Sequence, residues 1–315
     1  MELLTLSARE VERLLDPDAL LDALAAAFKA LNAGQIDAPK RIAVVAPGAG
    51  SLLAMPAYRQ DHDIAVKLVS VYPDNERRGL PTHQALILLF DPATGSPLAV
   101  MDGGVITALR TAGAAALSAR LLAREQARTL AIVGAGVQGR AHLTMLPHAR
   151  PFTDIRIVSR DPAHAARLAA NDPRARAVAS VKQAVDGADV VCLCTNSATP
   201  VINSDWLVSG AHLTSVGWAP PGGELDPETL EWGSLYVETL QAFEPPPVGC
   251  AELDGLDPSA GTEIGALVSG LDHGRRSEDE LTIYKAMGHA CEDLAAASLV
   301  YQRAKSEGAG QPTTL

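Results

Sequence analysis

Cysteine is scarce in this chain, basic charge is outnumbered, and neither an internal repeat nor a low-complexity tract is present. The 4 cysteines, Cys192, Cys194, Cys250 and Cys291, are too few for a disulfide scaffold in 315 residues, and their spacings fit no zinc-ligand pattern. They read as reduced thiols of a cytoplasmic protein. The 26 Lys and Arg against 37 Asp and Glu give a formal charge of −11. That balance excludes a sequence-independent grip on nucleic acid, which needs a basic face. Any anion bound here must be held by a local cluster of cations. No apolar run reaches the length of a membrane span, and the segment from Met1 to Glu10 has no apolar core of a signal peptide. Neither a membrane nor an export route is therefore expected.

With 47% apolar and 20% charged residues, the chain has ample material for a core, in one large or two ordinary domains. Ser7 followed by Glu10 fits a capping box, and Asp16-Pro17 pairs an N-cap with proline at the first helical position. These predict two opening helices, the second ending near Gly34. Short β-like runs follow, "RIAVVAP", "SLLAMPAY", "DIAVKLVSVY", "QALILLFD" and "PLAVMD", the last two flanking a hairpin loop, "PATGS". From Gly103 the spacing turns helical in "VITALRTAGAAALSARLLA". Beyond it strands alternate with helices ("LAIV", "DIRIVSR", "ADVVCLCTN", "AHLTSVGW", "SLYVET"), the signature of a parallel sheet. "EDLAAASLVYQRA" is a final helix able to pack back on the first, and "SEGAGQPTTL" is expected to fray. The plan is a β-rich first part, a doubly wound α/β part and a terminal helix.

"GAGVQG", Gly134, Ala135, Gly136, Val137, Gln138 and Gly139, follows the buried strand "LAIV" and opens a helix. In that context G-x-G-x-x-G is a dinucleotide loop. The first glycine allows the tight turn, the second lets backbone approach a pyrophosphate, and the third permits close helix–strand packing. The next strand ends in Ser159 and Arg160, a hydroxyl and a cation suited to a 2′-phosphate, with Asp161 directly after them. NADP(H) is favoured and NAD(H) remains possible.

One strand carries an intruder. In "AVKLVSVYP", Lys67 shares a face with Val69 and Val71. Lysine on a strand ordinarily snorkels or guards an edge; a buried ammonium requires a partner. Arg41 in "PKRIAVV" and Arg110 in "TALRTAG" also stand in apolar or small-residue surroundings. Together the three suggest a carboxylate clamp, the guanidiniums gripping and the ammonium acting as point charge or proton donor.

From "VKLVSVYPDNERRGLPTHQALILLFDPATGSPLAVMDGGVITALRTAGAAALSARLLA" through "GAGVQG", "SGAHLTSVG" and "LTIYKAMGHACEDLAAA", the chain closely resembles the ornithine cyclodeaminase and mu-crystallin family. The resemblance implies a Rossmann-type doubly wound α/β domain at 119–289 that binds NAD(P). It also implies an α+β substrate-binding and dimerisation domain at 1–118, rejoined by the C-terminal helix at about 290–315. It implies a homodimer acting on a small imino- or amino-acid carboxylate. Arg41, Lys67 and Arg110 would hold the substrate carboxylate and face its reacting carbon, the ligand being the partner of Lys67. Thr111 would lie near the cofactor phosphates, and Thr195 and Asn196 close to the cofactor.

True ornithine cyclodeaminases carry an aspartate soon after the Val-Gly of "SVG"; here Trp218 and Ala219 stand there, in "VGWAPPGGELD". Glu224 and Asp226 are expected on the loop surface. The machinery left suits hydride delivery to a C=N bond beside a carboxylate, that is, reduction of Δ1-pyrroline-2-carboxylate or Δ1-piperideine-2-carboxylate to proline or pipecolate. An ornithine or lysine cyclodeaminase, or an alanine dehydrogenase-like enzyme, is the second reading. An NADPH-dependent binding protein like mu-crystallin is the third. Trp218 is a candidate apolar wall, and His83 and Tyr72 are candidate proton relays.

Overall fold

The computed structural model describes residues 2–60 and 62–314; Met1, Asp61 and Leu315 lie outside it. The chain opens with β1 (Glu2–Leu6), α1 (Ala8–Leu14), α2 (Pro17–Asn32), β2 (Ile36–Asp37), β3 (Ile42–Ala46) and β4 (Gly50–Arg59). It continues through β5 (Ile64–Val71), β6 (His83–Phe90) and β7 (Pro97–Asp102) into the long α3 (Gly103–Leu122). Strands and helices then alternate: β8 (Thr129–Val133), α4 (Val137–Met145), β9 (Asp154–Val158), α5 (Pro162–Ala169), β10 (Ala175–Ala177), α6 (Val181–Val185) and β11 (Val190–Leu193). Next come β12 (His212–Ser215), α7 (Pro227–Trp232), β13 (Ser234–Val237), β14 (Gly261–Glu263), α8 (Ile264–Val268) and β15 (Thr282–Lys285). Helix α9 (Ala290–Glu307) and strand β16 (Gln311–Thr314) close the chain.

Two compact units result, one formed by the residues up to Arg110 with those from His289 onward, the other by Thr111–Gly288. The division falls inside α3, between Arg110 and Thr111. A continuous Ala- and Leu-rich helix gives no compositional break at which a sequence reading could place it. By length and composition α3 could cross a membrane, with a mean hydropathy of 1.3, yet 72% of its most apolar window is buried inside the protein. It is built as a core helix.

In the first unit, local signals set the helices. Ser7 and Glu10 form the capping box of α1, and the Asp16 side chain accepts from Ala19 N at 2.9 Å to cap α2. The mixed sheet runs β16-β1-β7-β6-β5-β4-β2, with β3 paired to the other part of β4. Its inner face, with Leu53, Met55, Ala57, Val69 and Ile87 all buried, is covered by α9, which also packs on α2. Register places Lys67 between Met55 on β4 and Ile87 on β6, in a row that continues to Met101 on β7. Cross-strand neighbours share a face, so the ammonium is held inside and cannot snorkel to water. The tail does not fray: Gln311–Thr314 pairs antiparallel with β1, because the backbone of β1 offers a ladder that needs no apolar side chains from its partner.

The second unit is an all-parallel sheet in the order β10-β9-β8-β11-β12-β15-β13-β14. Its central strands are buried on both faces, as the unbroken apolar run "LAIV" requires, around a core that includes Val133, Leu193, Leu213, Val237 and Ile283. Strand order reverses between β8 and β11, so their carboxyl ends flank the crevice where doubly wound sheets take ligands. All four cysteines are free and buried.

Candidate active site

The glycine loop sits at that reversal, between β8 and α4. Gly134 has φ +114°, and a side chain on it would collide with the Cys194 carbonyl. A Cβ on Gly139 would strike the carbonyl of Gly134, so the helix can approach the strand only with glycine here. At Gly136 the opposite holds: it is exposed, and a Cβ would meet nothing within 4 Å. The N-terminus of α4 has no side-chain cap, and Val137 beside it is 72% exposed. Open space over uncapped N–H groups is what a pyrophosphate occupies, so these residues fit a dinucleotide. Gln138 is half-buried, its Oε1 without a hydrogen-bond partner among the described residues.

Beyond β9, Ser159 is half-buried and Arg160 exposed. Asp161 is the N-cap of α5, accepting from Ala163 N at 2.9 Å, and lies 3.5 Å from His164 Nε2. Thr111 is buried next to Arg110 in α3, and Asn196 is exposed beyond β11.

The cation cluster is assembled within the first unit, by a partner that the sequence reading missed. Lys67, 2% exposed, reaches Asp293 Oδ2 on α9 at 2.8 Å. Its partner in the chain is therefore a carboxylate, which corrects the expectation that the ligand alone fills that role. Arg110 binds the same acid, Nε to Asp293 Oδ1 at 3.0 Å, and its Nη1 lies 3.1 Å from Glu292 Oε2. Glu292 Oε1 accepts from His289 N at 2.6 Å, closing the first turn of α9. Charge is thus matched inside the fold, as burial demands.

The electrostatics follow. Burial pushes the Lys67 ammonium down, to about 8, with Arg110 acting in the same sense and Asp293 and Glu292 opposing. Burial alone would raise Asp293, but Lys67 and Arg110 hold it below the usual carboxylate range. His289 is pushed down to about 4 by burial and then by the Arg41 guanidinium, which places Arg41, half-buried before β3, near this helix end. His83 is paired with Val71 in register, on the Lys67 face, and its Nδ1 lies 3.1 Å from Thr82 Oγ1. It is exposed at the sheet margin, where partial desolvation and Lys67 lower its pKa. Tyr72 is half-buried, its ring over Gly50 at the start of β4.

Lys67 keeps capacity in reserve. An ammonium has three donors, and among the described residues its ionic contact with Asp293 is the one its nitrogen makes.

A second buried network lies at the carboxyl ends of β11, β12 and β15. Glu224, expected on the loop surface, is fully buried. Its Oε2 accepts from Thr195 N and Oγ1, each at 2.7 Å, and its Oε1 from Ser215 Oγ at 2.9 Å and Gly217 N at 2.6 Å. Four donors around one carboxylate explain why it lies inside, and they also engage the Thr195 groups expected to meet cofactor. Lys285 Nζ donates to Ser215 Oγ at 3.0 Å, Gly217 O at 2.8 Å and Glu252 Oε1 at 3.0 Å. Asp226 caps α7 and accepts from Ser204 N at 3.2 Å. Trp218 is half-buried, its Nε1 enclosed without a partner among the described residues; Ala219 bridges to Gly222.

Asp293 and Glu292 gave a weak signal in sequence. Acids in a first helical turn are ordinary complements of the helix dipole, and only the His289–Glu292 spacing hints at a cap.

The sequence model described as the ornithine cyclodeaminase/mu-crystallin family matches residues 1–308. Ketimine reductase mu-crystallin of Mus musculus is 37% identical over 304 residues, spanning 94% of this chain and 96% of its own. Among solved structures, Thermococcus litoralis Δ(1)-pyrroline-2-carboxylate reductase in complex with NADH and L-proline superposes with a TM-score of 0.92. It is 31% identical and covers 99% of this chain and 100% of its own. An archaeal alanine dehydrogenase dimer with bound NAD superposes with a TM-score of 0.89 at 29% identity, covering 100% of both chains.

Proposed function

The chain belongs to the ornithine cyclodeaminase/mu-crystallin family, and from that premise we propose that it is an NAD(P)H-dependent reductase of small cyclic ketimine carboxylates. The observation that carries the reading is Lys67: a buried ammonium with one ionic partner and donors to spare, held in a network with Arg110. The substrate takes those donors. Arg41 and Arg110 orient its carboxylate, and a fixed orientation removes much of the entropic barrier. Lys67 keeps the imine nitrogen protonated, so that charge on the reacting C=N favours reduction. When bound at the loop Gly134–Gly139, the dinucleotide supplies the hydride. Gly136, Val137 and Gln138 would meet its phosphates at the start of α4, and Thr111, Thr195 and Asn196 are further candidates to hold it.

Cyclodeamination is disfavoured by the loop after β12. Trp218 and Ala219 provide no acid, Glu224 is saturated by four donors, and Asp226 is tied up as a helix cap. Neither carboxylate is placed to handle an amine. NADP(H) is the preferred cofactor: Arg160 is exposed, and Asp161, which would otherwise repel a 2′-phosphate, is engaged by the N-terminus of α5.

The protein works as a homodimer. The outer face of the mixed sheet is apolar and uncovered, with Ile42 65%, Val44 68%, Leu52 46% and Leu86 53% exposed. A patch of this kind marks an interface, and a second copy of the same sheet matches it in chemistry. Val44→Glu should shift the protein to a monomer in analytical ultracentrifugation; a variant that sediments as the wild type would remove this assignment.

Activity is tested by following NADPH and NADH oxidation with Δ1-pyrroline-2-carboxylate and Δ1-piperideine-2-carboxylate, beside ammonia release from ornithine. Fast imine reduction with idle ornithine is expected. Ornithine turnover with idle imines would overturn the reading.

A further inference from the structure

The first turn of α9 does more than balance charge. We infer that Asp293 is the positioning residue of the reductase site: its carboxylate aims the Lys67 ammonium and leaves the remaining N–H donors for the imine nitrogen, making Lys67 the proton donor. This rests on the reductase reading above.

Asp293 is 1% exposed; its Oδ1 accepts from Arg110 Nε at 3.0 Å, and its Oδ2 lies 2.8 Å from the Lys67 ammonium in an ionic contact. Arg110 is fixed by Glu292, and Glu292 by the His289 backbone. A continuous chain of contacts joins the helix end, α3 and the strand that bears Lys67. The groups that face Lys67 are Asp293, held below the usual carboxylate range, and Glu292 on α9, Arg110 on α3, and His289, the α9 cap, and His83 on β6, both histidines shifted toward the neutral form. Asp293 is the nearest charge that favours the ammonium, opposing burial and Arg110.

The proton step balances. The proton that charges the imine nitrogen would come from Lys67 Nζ; the hydride that a bound reduced dinucleotide would supply would then add to the C=N carbon, and the π pair would settle on nitrogen as the lone pair of the amine. Lys67 is left as a neutral amine and is recharged from water. Below a pH of about 8 Lys67 carries that proton, and above it the donor is lost. Removing the Asp293 charge favours the neutral amine, so the loss should begin at lower pH.

The test uses two readouts. The chain has few lysines, among them Lys29, Lys40, Lys67 and Lys285, so protein labelled at lysine Cε with 13C gives resolvable signals, assigned for Lys67 by a Lys67→Arg variant. In the wild type the Lys67 signal should titrate near 8. In Asp293→Asn the midpoint should fall by about one pH unit or more, and the basic limb of kcat with Δ1-pyrroline-2-carboxylate should fall with it. Asp293→Glu, which keeps the charge, should restore both. A rate lowered equally at every pH, with the Lys67 midpoint unmoved, would make Asp293 purely structural and overturn the inference. A midpoint that moves in a protein idle toward all cyclic ketimines would remove the reductase reading while leaving the coupling of Asp293 to Lys67 intact.

Discussion

Lys67 in the first unit and Lys285 in the second are both buried on strands, and they are held in contrasting ways. Lys285 donates to Ser215 Oγ, the Gly217 carbonyl and Glu252, at 3.0, 2.8 and 3.0 Å, so its three donors end on protein oxygens. Lys67 has Asp293 at 2.8 Å and further donors left over. The carboxylates repeat the contrast: Glu224 is filled by four short hydrogen bonds, whereas Asp293 bridges two cations. Burial of charge is thus common to scaffold and site. Saturation separates them: a filled network fixes loops at the ends of β11 and β12, and an unfilled one is available to a ligand.

The largest break in this contrast should come from Asp293→Ala. It strands the buried Lys67 ammonium and leaves Arg110 with Glu292 alone, so about 3–5 kcal/mol of unfolding free energy should be lost in urea titrations, with turnover falling about a hundredfold or more. Lys285→Met should cost about 3 kcal/mol in the same titration, because Glu252 is left buried without its cation. Turnover of the folded fraction should stay within about tenfold; a larger loss would mean that the second network also serves the chemistry.

Acid should weaken both units through buried histidines, His289 in the first and His142 and His212 in the second. Burial holds His142 near 4 and His212 near 3, each neutral in the fold. The unfolded chain takes up those protons from about 6.5 downward, so stability falls as pH drops from there toward 4, by about 3 kcal/mol for each such histidine. His142→Gln should flatten that slope in a pH series of melting temperatures. The smallest effect is expected at Arg160→Ala: a KM for NADPH raised about tenfold, or about 1.4 kcal/mol, with the KM for NADH little changed.

Legibility in the sequence followed the range of the interactions. The caps at Ser7 and Asp16, the parallel strands and Gly134–Gly139 are specified by neighbours a few residues apart, and all were readable. The family resemblance was readable for the same reason, its motifs being contiguous. Arg110 and Asp293 are 183 residues apart and meet because α9 returns to cover the inner face of the sheet. No local pattern announces that. Glu224 looked like a loop acid because its donors come from the ends of two separate strands. Strand β16 has no apolar alternation, since its partner β1 supplies the ladder. Lys67 itself was conspicuous, and its counter-ion was not.

The most direct test of the account is kcat/KM for Δ1-pyrroline-2-carboxylate in Lys67→Met, measured at pH 7 beside the wild type, with NADPH affinity followed by fluorescence. A loss of about a hundredfold or more is expected, with NADPH binding preserved. Turnover within a few-fold of the wild type would contradict it, and would make Lys67 a second saturated lysine like Lys285.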